Sequence, residues 1–209
     1  MKKNLLVSLL LIYILPAFSQ DISKMNADLK LSDSLVHITE IRIYQDHQIT
    51  NYSSLLRLYE KDKKQWVGEF YEHFNAVPSS GVKLRMTQKK ITPKSDFEFI
   101  ATSLKRSGIL DLPSFDEIRW KFKIRGEIEK VEEKGSRGRT DSYYTYTSQF
   151  GGPSDGESFF VQVKYGGKTN EFSFSNPDSY LKKYPEVDEL NYIHEIMELI
   201  REEFEIWKK

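Results

Sequence analysis

The sequence predicts an α+β fold: an antiparallel sheet of about seven to nine strands with helices packed on one face. Three observations predict it. Asp155 to Pro177 holds two alternating runs around Gly166-Gly167, the spacing of a tight β-hairpin. Short β-branched or aromatic runs separated by polar turns recur through the rest of the chain. The end of the chain then carries apolar residues at helical spacing. Strands followed by a helix occur twice, over residues 36–108 and 117–207, which suggests a β4α–β4α layout. A β-barrel with a C-terminal helix is the alternative, because strand number alone does not decide closure.

Taken in order, residues 20–34 are polar and read as a lightly tethered lead-in. Strand-like runs follow at 36–44, 54–59, 66–74 and 82–87. In the third, Trp66, Gly68, Phe70 and Phe74 share a face; in the fourth, Val82, Leu84 and Met86 alternate with Lys83, Arg85 and Thr87. A helix starts at Ser95-Asp96-Phe97-Glu98, where Ser95 and Glu98 have capping-box spacing. Its apolar stripe is Phe97, Ile100, Ala101 and Leu104, and Gly108 stops it. Arg119 to Arg125 alternates strictly and reads as a strand, with Trp120, Phe122 and Ile124 on one side. Gly126 reads as a turn into Glu127 to Val131, a strand whose acidic residues would face the basic residues of Arg119 to Arg125, and Tyr143 to Thr147 reads as a further strand. The hairpin register pairs Tyr165 with Lys168, Val163 with Asn170, Val161 with Phe172 and Phe159 with Phe174. Asn176-Pro177 opens a short helix. Leu190, Ile193, Met197, Ile200, Phe204 and Trp207 then form the stripe of a last helix, with Asp188 as its expected cap.

The first nineteen residues read as a cleaved signal peptide. Lys2 and Lys3 precede an apolar run from Leu5 to Leu15, and Ala17-Phe18-Ser19 supplies a cleavage site. That run is too short to span a bilayer, and no later segment is long enough. The expected location is periplasmic or extracellular, with residues 20–209 as one domain. That mature chain holds 29 basic and 31 acidic residues, a net charge of −2 that offers no overall field for nucleic acid. Zero cysteines exclude disulfides, thiolate metal sites and cysteine nucleophiles.

Gly152-Pro153-Ser154-Asp155-Gly156 matches G-x-S-x-G, but a strand follows it where a nucleophile elbow needs a helix. A Gly/Pro turn explains it better. The four histidines, His37, His47, His73 and His194, form no H-E-x-x-H and no i, i+4 pair, and none is read as sitting beside a carboxylate at ligand spacing on a helix. No carboxylate pair with opposed environments is visible. No catalytic residue, metal site or cofactor is therefore assigned, and the chain reads as non-enzymatic.

Two sets of residues carry binding potential. Arg119, Lys121, Lys123 and Arg125 form a basic row suited to an anionic ligand. Its plain alternative is a solvated face neutralised by Glu127, Glu129, Glu132 and Glu133. Tyr143, Tyr144, Tyr146 and Phe150 lie among Ser, Thr and Gly, a composition suited to recognition. Their alternative is an ordinary strand with buried aromatics, and exposure separates the two. The turn dipeptides Asp155-Gly156, Gly166-Gly167 and Asn176-Pro177 give residues 153–207 a resemblance to small secreted bacterial domains of unknown function. That resemblance implies no catalytic residues. The favoured role is an exported envelope protein binding a peptide, protein or glycan. Two others stay open: a hydrolase built on Ser154 with His194 or His73, and a carrier with an apolar cavity lined by Trp66, Phe70, Phe122 and Phe172.

Overall fold

The computed structural model describes residues 17–47, 50–62, 65–134, 139–152 and 156–208. It divides into two units, residues 1–34 and 35–209. In the first, helix α1 (Ala17–Asp28) replaces the expected loose lead-in, and Asn26 Nδ2 donates to Asp33 Oδ1 at 2.9 Å. Met1 to Pro16, most of the expected signal peptide, lie outside the described residues.

The second unit is α+β. Six strands form one antiparallel sheet in the order β4 (Arg85–Ile91), β3 (Gln65–Phe74), β2 (Tyr52–Lys61), β1 (Glu40–His47), β7 (Glu157–Tyr165) and β8 (Lys168–Ser175). β5 (Lys123–Lys134) and β6 (Thr140–Phe150) pair only with each other among the described residues. The sheet is therefore open, with β4 and β8 at its edges, and no barrel closes. The eight described strands divide six and two, so the second half does not add four strands to one sheet.

The β7–β8 hairpin has the expected register, from Tyr165 opposite Lys168 to Phe159 opposite Phe174. Gly166 and Gly167 take φ of 57° and 86°, the left-handed pair that a I′ turn demands. Phe159, Val161, Phe172 and Phe174 are buried. They share a core with Ile41, Ile43, Leu56 and Leu58 of the central strands. The same core takes Ile100 and Leu104 of α2 (Phe97–Arg106) and Leu190, Ile193, Met197 and Ile200 of α5 (Asp188–Phe204). Short helix α4 (Pro177–Lys183) adds Tyr180. Burying each such side chain contributes about 1.5–3 kcal/mol.

Four expectations need correction. The fourth strand starts at Arg85, so Val82, Leu84 and Met86 are exposed and bury no alternating face. α2 is capped by Asp96, whose carboxylate accepts from Phe99 N at 2.7 Å, while Ser95 bonds Glu203 instead. α5 begins at Asp188 after a Val187 N-cap that has no side-chain bond. Residues 115–122 are helical: α3 (Phe115–Ile118) and then a 3-10 turn over Arg119–Phe122. A capping box between Ser114 and Glu117 starts this stretch. Phe122 then stacks on Phe115 with ring centroids 5.0 Å apart and lies against Tyr180 and Tyr184. Local capping and aromatic burial together outweigh the alternating pattern.

On the sheet face opposite this core, the central strands β1 to β3 also bury charges. Glu40 Oε1 accepts from Arg42 Nε and Arg57 Nε, each at 2.8 Å. Its Oε2 accepts from the amides of Val36 and His37. Burial opposes the Glu40 charge, yet the bonds from Arg57 and the His37 amide, with the charge of Arg42, hold the carboxyl below its usual range. Arg57 also reaches Glu69 at 3.3 Å, and Tyr71 Oη donates to Glu69 at 2.7 Å. Burial and that bond push the Tyr71 hydroxyl up in pKa.

Candidate functional site

The site is built on the β5–β6 ribbon. Ile128 stands opposite Tyr146, Lys130 opposite Tyr144, Val131 opposite Tyr143, Arg125 opposite Ser148 and Lys123 opposite Phe150. β5 runs on through Gly126 in place of the expected turn, so the run from Glu127 to Val131 lies along β6 and not against the basic row. Between Arg125 and Ile128 the register slips, and Gly126 and Glu127 together face Thr147 as a β-bulge. A Cβ on Gly126 would collide with the Thr147 hydroxyl, which explains the glycine. Side chains alternate along each strand, so the pairings sort the ribbon into two faces. One displays Lys123, Arg125, Ile128, Lys130, Glu132 and Lys134 beside Tyr144, Tyr146 and Phe150, with Lys130 Nζ 3.9 Å from Glu132 Oε1. The other displays Glu127, Glu129, Glu133 and Asp141 beside Val131 and Tyr143.

The bulge is what unites the two candidate sets. Without the extra residue, Lys123 and Arg125 would lie on the acidic face. Two of the four predicted cations thus join three of the four predicted aromatics, and Tyr143 goes to the other side. Lys130 and Ile128 belong to the same face and were missed, because only the register reveals them. Ile128, Tyr144 and Tyr146 are 75, 73 and 62% exposed. These side chains are therefore not those of an ordinary buried strand.

The basic row itself does not form. Arg119 and Lys121 sit in the 3-10 turn before β5, where side chains do not alternate. Lys121 Nζ donates to both carboxylate oxygens of Glu189, at 2.6 and 2.7 Å. Burial opposes the charge of Glu189, but the Lys121 bond outweighs it and holds the carboxyl below its usual range. Lys121 is thus a structural partner of α5. Arg119 places its guanidinium 4.5 Å from the Phe150 ring centroid, which keeps it at the root of the basic face.

Described contacts fix the root of the ribbon. Lys183 Nζ donates to the Gly151 carbonyl at 3.1 Å, and Phe150 meets Tyr180 at 6.3 Å between centroids. A Cβ on Gly152 would overlap the Tyr180 hydroxyl, so the chain passes α4 with no room for a side chain.

Elsewhere, His194 Nδ1 lies 2.7 Å from Asp178 Oδ1. Together with Glu198 they bring ligand atoms within 4.8 Å of one another. His194 and Glu198 are four residues apart on α5, which corrects the expectation that no histidine sits beside a carboxylate at ligand spacing on a helix. Arg201 Nη2 donates to Asp178 at 2.9 Å and Nη1 to Glu198 at 2.6 Å. A guanidinium already supplies the positive charge there, so the set fits an ion-pair network better than a metal. Ser154 and its G-x-S-x-G turn lie outside the described residues. His37 stacks on Tyr59 and His47 lies against Tyr52. An open cleft of about 310 Å³ is lined by Gln45, Tyr52, Phe70 and Trp207, among others. It is not the enclosed apolar cavity a carrier needs, and Phe122 and Phe172 are packed in the core.

No helix among the described residues is long and apolar enough to cross a membrane. Comparison with protein-family models, with curated proteins and with solved structures finds no match to this chain.

Proposed function

We propose that this is an exported, non-enzymatic envelope or periplasmic protein that holds a peptide, protein or glycan partner on the basic and aromatic face of its ribbon. One observation carries the reading: Tyr144, Tyr146 and Ile128 stand exposed on the same face as Lys123, Arg125 and Lys130. Rigid aromatics contribute contact area at low entropic cost, and tyrosine and arginine are the residues that anchor interfaces. The cations between them select an acidic partner and make association fall with salt. The opposite face, with Glu127, Glu129, Glu133 and Asp141, repels the same partner and so sets which side is used.

The test is binding of the chain from Gln20 to Lys209 to a panel of acidic and neutral polysaccharides and peptides, at two ionic strengths. An acidic member is retained, and the double substitution Tyr144→Ser with Tyr146→Ser weakens it at least about tenfold, the loss of roughly 1.4 kcal/mol. Arg125→Ser reduces the salt dependence, whereas Glu129→Gln leaves affinity intact. Retention of no member, or unchanged affinity in the double variant, overturns the reading. Export has its own readout: the secreted or periplasmic form starts at Gln20.

A further inference from the structure

The two outer edges of the ribbon differ in a way that folding of one chain does not require. Among the described residues, β6 has one hydrogen-bonded neighbour, β5, and the reverse holds. Each strand therefore presents a row of unpaired backbone donors and acceptors along a free edge. Such edges are templates for pairing, and proteins blunt them with charge. β5 is blunted: eight of its twelve residues, KIRGEIEKVEEK, are charged. β6 is not. In TDSYYTYTSQF only Asp141 is charged among eleven residues, with no Pro and no Gly, and every residue is exposed. A run of β-branched and aromatic residues without charge is the composition that pairs edge to edge.

We propose that β6 pairs antiparallel with β6 of a second copy of this chain, about a two-fold axis at Thr145, to give a four-stranded sheet. The occupant is argued from self-complementarity. The midpoint of Thr140–Phe150 is Thr145. In that register all eleven residues pair, Thr145 faces its own copy, Tyr144 faces Tyr146 on both sides of the axis, and Tyr143 faces Thr147. Aromatic and threonine cross-strand pairs stabilise a sheet, and no like charges meet. The one acidic residue, Asp141, falls opposite Gln149. The same operation on β5 about Glu129 sets that acid directly against its own copy, the one like-charge contact in the register, at the axis itself. A closed two-fold contact also leaves both β5 edges outermost, where their charges stop further growth.

The pairing uses the edge of β6 and the partner site its face; both draw on Tyr144 and Tyr146, whereas Thr145 lies on the other face and tests the pairing alone. Pairing would set two basic and aromatic faces side by side in one surface.

The experiment measures the mass of the chain from Gln20 to Lys209 by sedimentation at about 100 µM, a range suited to a small interface. The expected result is a dimer. Thr145→Glu sets two acids face to face and makes it monomeric, with at least about a tenfold weaker association. An equimolar mixture of Thr145→Glu and Thr145→Lys restores the dimer, because the two residues then face each other. The chain has no cysteine, so Thr145→Cys reports directly. Directly opposite residues sit ~4.5–5.5 Å apart at Cα, within disulfide reach, so mild oxidation cross-links it. Glu129→Cys, on the charged strand, stays uncross-linked. A monomeric native chain overturns the proposal. So does a dimer that survives Thr145→Glu, or a Thr145→Cys chain that links no better than Glu129→Cys. A monomer made by Thr145→Glu that still binds its acidic partner separates this failure from that of the partner site.

Discussion

The hydroxyl of Tyr184 lies 2.7 Å from the carbonyl oxygen of Gly151 and is shared with the Phe122 carbonyl at 3.3 Å. Phe122 immediately precedes β5 and Gly151 immediately follows β6, so one buried side chain ties both roots of the ribbon to the core. Tyr184→Phe keeps the ring packing and removes that tie. It lowers stability by about 1 kcal/mol, the net worth of one such bond. Amide exchange at Lys123 and Phe150 speeds up while that of Ile43 and Leu56 follows only the global change. Unchanged exchange at the roots would show that the tie does not hold the ribbon.

The Glu40 cluster is costly to break from one side. Glu40 and Arg42 are wholly buried, and removing one partner of a buried pair strands the other charge. Glu40→Gln is expected to destabilise the fold by about 3–5 kcal/mol in urea denaturation. The exposed pair Lys94–Glu205 is the comparison, where Lys94→Met leaves stability nearly unchanged. Equal effects at the two sites would sink the argument from burial.

Acid acts through the same carboxylates. Folding lowers the pKa of Glu40 and of Glu189 from the usual 4.5. A lowered carboxylate contributes stability that is complete above its unfolded value and lost as pH falls through its folded one. The urea midpoint should therefore hold steady down to about pH 5 and decline below it, with a shallower decline in Glu40→Gln. A midpoint that rises on acidification contradicts the network.

Lys121 and Arg125 separate structure from recognition. Lys121→Met leaves Glu189 without its partner, so stability falls by about 1 kcal/mol and partner binding stays as it was. Arg125 is exposed and has no ion pair among the described residues, so Arg125→Ser changes stability by less than about 0.5 kcal/mol while weakening binding in low salt. The reverse pattern would return Lys121 to the site.

Much of the layout was legible because it is periodic. Phe159, Val161, Phe172 and Phe174 declare one face of a hairpin, and two glycines with positive φ fix its turn. Leu190, Ile193, Met197 and Ile200 declare the stripe that covers it. The alternation from Arg119 to Arg125 misled for a physical reason: a pattern of period two states a local preference worth tenths of a kilocalorie per residue, and stacking Phe122 on Phe115 is worth more. The Glu40 cluster was illegible because its members come from three strands and are assembled by pairing alone.

By itself, the chain's order of apolar and polar residues determined an antiparallel sheet, the hairpin register and the helices that bury one face, since those depend on neighbours two to four residues away. Only the tertiary structure decided that β5 and β6 leave the sheet, that a single bulge turns Lys123 and Arg125 to the side of Tyr144 and Tyr146, and that Lys121 is taken by Glu189. Those outcomes depend on contacts between residues far apart in the chain, where pairing and burial energies replace periodicity.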